Sequence, residues 1–191
     1  MASAYQRAEL VGALKRACSD AELYWNAMPE EEFVAAIGNS WSPADHVRHL
    51  TKSVRAVTRG LGMPRLVLWL LFGRARHVSR SYGTLVAAYK ARLRAGGQAG
   101  RFAPAPKVVT GDPAAWRREV LGAHRAAVLE LVSRIGRWSR ADVDRLQLPH
   151  PILGKLTVRE MLMFTLYHNQ HHLYVVARRR GEHASDDTPL N

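Results

Sequence analysis

The stretch that decides the fold runs from Thr157 to Gly181, TVREMLMFTLYHNQHHLYVVARRRG. It opens on Thr157-Val158-Arg159-Glu160, a full capping-box pattern that satisfies two backbone N–H groups left free at a helix start. It closes on Arg178-Arg179-Arg180, cations suited to a helix C-terminus, and on Gly181, a suitable terminator. Between them Val158, Met161, Thr165, His168, His172, Val175 and Arg179 recur at the spacing of one inward helical face. The two histidines are the anomaly on that face, because their ring nitrogens must find partners away from water. His168 and His172 stand four apart, one turn above the other, the spacing at which two imidazoles can share a metal ion.

Working outward, the whole chain reads as helical. Residues 4–28 carry Leu10, Leu14, Ala17, Ala21 and Tyr24 at helical spacing. Pro29 and Gly38 bracket a short helical turn. Ser42 is a good N-cap, Pro43 suits the first helical position, and Asp45 completes a variant capping box. Val47, Leu50, Val54, Val57 and Leu61 then form a buried stripe. A third helix is expected from about Ser81 to Leu93, and Asp112-Pro113 caps another ending near Gly136. Residues 96–112 read as a long loop, of the kind that often carries function. Asp142 to Pro151 reads as irregular, with no strong strand hairpin. The expected architecture is an all-α four-helix bundle with extra short helices and a long connection. It forms a single domain over residues 1–181, followed by a polar tail, 182–191.

Composition narrows the function classes. At 191 residues and 47% hydrophobic the chain can bury a real core. The single cysteine, Cys18, can form neither an internal disulfide nor a thiolate cage, and reads as a small core residue. The net charge of +12 invites a nucleic-acid reading, but the basic residues are spread along the chain, so specific nucleic-acid binding is not expected. The N-terminus lacks the apolar region of a signal peptide, and the apolar run Leu66–Phe72 falls far short of the roughly 20 residues that span a bilayer. The expectation is a cytoplasmic protein with no membrane partner. Seven consecutive apolar residues between breakers must nonetheless be covered by the bundle, a ligand or a second subunit, and a homodimer is expected.

A metal site needs a third ligand, and the helix beginning at Ser42 offers His46 and His49; spacing does not choose between them. His77, His124, His150 and His183 read as surface residues. Asn169 stands where a zincin motif carries its glutamate base and cannot take a proton at neutral pH. Neither a nucleophile elbow nor a phosphate-cradling glycine loop is present. Glu160, two turns before His168, reads as a helix cap.

Trp41-Ser42-Pro43-Ala44-Asp45-His46-Val47-Arg48-His49-Leu50 resembles the "Trp-Ser-Pro-x-Glu-x-x-x-His-Leu" start of the second helix in the DinB/YfiT-like superfamily, with Asp45 in place of Glu. Leu156 to Leu162, followed by His168-Asn169-Gln170-His171-His172, resembles that family's last bundle helix. The two motifs come in the family's order. The resemblance implies a four-helix bundle holding one divalent ion on His49, His168 and His172, with His46 and His171 outside the ligand set. Some members transfer thiols such as bacillithiol, or isomerise maleylpyruvate with mycothiol as cofactor.

The first functional expectation is therefore an enzyme using a divalent ion, such as zinc, nickel or iron, and a low-molecular-weight thiol. Its thiolate would attack an electrophilic small molecule, with Arg92, Arg94, Arg101 and Lys107 near the long loop available to hold an anionic thiol. The alternatives are metal-activated water doing hydrolysis and a non-catalytic or stress-associated metal-binding protein.

Overall fold

A computed structural model describes residues 7–105, 107 and 109–182. Helix α1 spans Arg7–Ala27, α2 Glu30–Val34, α3 Pro43–Gly62, α4 Arg65–Phe72, α5 Tyr82–Arg94, α6 Pro113–Ile135, α7 Arg140–Arg145 and α8 Val158–Arg179. The expected polar tail beyond Glu182, His183 and the first residues of the expected opening helix lie outside the described residues.

The helix starts follow local chemistry. The Thr157 hydroxyl accepts from Glu160 N while the Glu160 carboxylate accepts from Thr157 N, so the capping box of α8 is complete. At α3, Ser42 accepts from Asp45 N, but the Asp45 carboxylate accepts the Ser42 hydroxyl proton at 2.9 Å. Aspartate is one methylene shorter than the glutamate of a full box. At the far end of α8, Gly181 adopts φ 78°, the left-handed conformation that ends many helices.

The four long helices close a ring: α3 packs on α6 and α8, and α1 packs on α8 and α6. Leu14, Val54, Leu131, Leu162 and Leu166 meet in the main core. A second cluster around Trp25, Phe33, Val47, Leu121 and Val176 fills the other end. Val176 is fully buried where Val175 was expected, and Arg179 is exposed, because 3.6 residues per turn carries the inward stripe slowly around the helix.

Two segments depart from the sequence reading. The stretch read as irregular, Asp142 to Pro151, is not: Ser139 caps α7, and strand β1 (Gln147–His150) pairs antiparallel with β2 (Gly154–Thr157), Leu148 opposite Leu156. Their burial does not alternate, since one end of the ribbon is buried on both faces, so period two was never visible. Leu148 also explains Gly60 inside α3, where an added Cβ would stand 2.8 Å from a Leu148 methyl. The apolar run 66–72 lies wholly within α4. The bundle takes up Leu68 fully and Phe72 partly, while Leu66, Leu70 and Leu71 remain exposed. No helix among the described residues is long and apolar enough to cross a membrane.

Candidate metal centre

Helix α3 presents His46 and His49 to α8, and α8 presents His168 and His172 in return; all four rings are buried. Each of His49, His168 and His172 offers a ring nitrogen, and the three nitrogens lie within 4.8 Å of one another. His168 Nε2 is 3.1 Å from His49 Nε2 and 3.0 Å from His172 Nε2. One imidazole nitrogen carries either a proton or a lone pair, so His168 Nε2 cannot donate to one neighbour and accept from the other. A cation at the meeting point can take the lone pairs of all three rings at once. Ligand nitrogens around a tetrahedral ion at its usual bond length stand about 3.3 Å apart, so this donor set fits with small adjustments.

Hydrogen bonds behind the rings orient them. His49 Nδ1 lies 2.9 Å from the Phe102 carbonyl. A carbonyl only accepts, so the proton is on Nδ1 and the Nε2 lone pair faces the other histidines. Phe102 ends a short 3-10 turn, Gly100–Phe102, within the segment read as a functional loop. His172 Nδ1 lies 2.6 Å from His46 Nδ1. In the arrangement that frees the His172 Nε2 lone pair, His172 Nδ1 donates to His46, whose proton then rests on Nε2. His46 Nε2 is buried and has no hydrogen-bond partner. Trp41 covers the group, its indole nearly parallel to the His172 ring at 6.4 Å.

Burial keeps these imidazoles neutral. It drives His168 and His172 well below the usual histidine range, and neighbouring histidines push the same way. Burial lowers His49 too, opposed by the Phe102 carbonyl. His46 falls to about 3 through burial, with Arg179 and the histidines beside it adding to the effect. Neutral rings are what a metal ion requires.

The surface reading fails for two histidines. His124 and His150 are buried, and desolvation takes each to about 4. His124 lies under α3, near the Thr51 hydroxyl, with Asn169 as a further partner. Asn169 also donates to the Thr165 carbonyl, and its contact with His124 places it on the side of α8 turned to α6. His171 contacts the Tyr167 hydroxyl and lies outside the three-nitrogen group. Glu160 is more than a cap: it is fully buried and holds the Arg80 guanidinium at 2.8 Å. Cys18 is half-buried against the core.

A cavity of about 520 Å³ opens beside the histidines, between α3, α5, α8, the β1–β2 turn and residues 99–102. Of the four basic residues singled out near the loop, Arg101 lines it; Lys107 instead rests over the Trp116 ring. A sequence model of the DinB superfamily matches residues 6–176. The chain belongs to the DinB superfamily. No curated protein and no solved structure matches it. Membership and the buried three-histidine group together fit metal binding by this DinB protein.

The Phe102 carbonyl, His124 and His150 had no distinguishing mark in the sequence, whereas His46 stood beside His49 as a candidate ligand but not as the group behind His172. The position of His46 three residues before His49 was the one usable signal, since both then face the same neighbour.

Proposed function

We propose that this DinB protein is an enzyme that binds one divalent ion on His49, His168 and His172 and uses a low-molecular-weight thiol against an electrophilic small molecule. The observation that carries the reading is the convergence of three buried, neutral imidazole nitrogens at the edge of a deep cavity. Three protein ligands suit an open, reactive site better than a closed structural one. When bound, the ion would hold a thiol as its thiolate, a strong nucleophile at neutral pH. Zinc, nickel and iron all suit imidazole ligands.

The chain's own residues supply position and exclusion. Phe102 and His46 fix the His49 and His172 rings, and Trp41 screens them. Among the described residues no Asp or Glu lines the cavity, so it offers no carboxylate base to activate water. That favours a nucleophile brought in by the thiol over hydrolysis. The exposed leucines of α4 support a homodimer. The absence of a membrane-crossing helix among the described residues is compatible with a cytoplasmic setting.

The test is elemental analysis of the purified protein, then conjugation of a simple electrophile with bacillithiol, mycothiol, glutathione or coenzyme A. Holo protein, chelated protein and His172→Ala are compared. Turnover only in the holo protein with a thiol is expected. Equal rates in all three would refute the reading, and metal-dependent turnover without thiol would replace it with hydrolysis.

A further inference from the structure

The cavity carries more than a general invitation to small molecules. Its volume of about 520 Å³ falls in the range of small-molecule sites, and Val57, Met63, Leu93 and Phe164 make much of its wall apolar. Outside the histidine group, whose inward lone pairs accept, the charged groups on that wall are of one sign. Arg59 and Arg101 are exposed on it, and neither has a carboxylate partner among the described residues. The Tyr89 hydroxyl is held neutral by burial, its pKa pushed up to about 12.

His150 is the most constrained of these groups. Its Nδ1 accepts from two backbone donors of the β1–β2 turn, Ile152 N at 3.2 Å and Leu153 N at 3.0 Å. An atom accepting two N–H bonds carries no proton, so the proton of the neutral ring is fixed on Nε2. Nε2 has no hydrogen-bond partner among the described residues. Among the described residues the one buried side-chain polar atom without a partner belongs to His46, so the His150 donor opens onto the cavity that the ring lines. Phe164 separates it from the metal centre, its ring 4.2 Å from His150 and 5.0 Å from His168. A molecule held by His150 therefore lies within one ring's breadth of the histidine group.

We propose that this cavity binds a largely apolar carboxylate, and that His150 is a substrate-binding residue donating from Nε2 to a carboxylate oxygen. Donors and cations without a single lining carboxylate favour an anion, and the apolar wall favours a hydrocarbon body. As the substrate class of the same site the proposal rests on the proposed function, but the binding needs neither metal nor thiol, so each can fail alone.

The experiment is calorimetric titration of chelated protein with octanoate, octanol and octylamine. Octanoate is expected to bind at least tenfold more tightly than the other two. His150→Asn places an oxygen where Nδ1 stands, keeps the turn acceptor and draws the donor back from Nε2 to the Cδ2 position, short of the ligand; it should cut the preference for octanoate over octanol by about tenfold. His150→Gln places an amide nitrogen near the Nε2 position and should restore most of that preference while weakening the turn, read as a lower Tm. Equal binding of the three probes, no measurable octanoate binding at millimolar concentration, or an unchanged preference in His150→Asn would overturn the proposal.

Discussion

Acid should unfold this protein through its histidines before its carboxylates are protonated. His124 and His150 have ordinary values of 6.5 when exposed in the unfolded chain and about 4 in the fold. A folded value below the unfolded one means that the unfolded state binds protons first. The stability that depends on neutrality is fully present above about pH 6.5, falls as pH drops toward 4, and levels off below that. At pH 5 each residue removes about 2 kcal/mol, so the pair removes about 4 kcal/mol. That is a large share of a typical domain stability of about 5–15 kcal/mol. In chelated protein the site histidines shift in the same direction and add to the loss. The assay is urea unfolding of chelated protein at pH 7.5 and pH 5. His124→Gln, which stays neutral, should reduce the pH-dependent drop by about 2 kcal/mol whatever its effect on absolute stability. A wild-type drop below about 1 kcal/mol, or parallel pH dependences for wild type and variant, would refute the reasoning.

His46→Ala removes the acceptor behind His172 and is expected to weaken metal affinity about 10–100-fold, measured by competition with a chelator; His171→Ala should leave affinity unchanged. Glu160→Ala leaves the Arg80 guanidinium and Thr157 N–H facing a void. It should cost about 3–5 kcal/mol in denaturant unfolding, and a loss under about 1 kcal/mol would show that the pair is not structural. Leu70→Glu with Leu71→Glu, both on exposed positions of α4, should turn a dimer into a monomer by light scattering. A wild-type mass already monomeric at micromolar concentration would remove the dimer.

Local signals were legible where they act within one turn of helix. The capping box at Thr157, the Ser42-Pro43 start of α3 and Gly181 after α8 each need only neighbours along the chain. The β1–β2 ribbon was not legible. It is held by Leu148 packing on Gly60 and by the His150 ring capping its own turn, contacts that no short-range pattern encodes. Glu160 shows the same division within one residue: its cap is local, whereas its partner Arg80 lies 80 residues away.

The sequence by itself determined that α8 exists, where it begins and ends, and that His168 and His172 share its inward face, because helical spacing is a property of the backbone. It also held the family motifs that put His49 with them. Only the tertiary structure decided how α3 is rotated against α8, and that rotation places His49 Nε2 at 3.1 Å from His168 while sending His46 to the back of His172. It likewise decided which other histidines lose water. Desolvation depends on the whole set of helices packed over a ring, so His124 and His150, which look like surface residues in the chain, are neutral and buried in the fold.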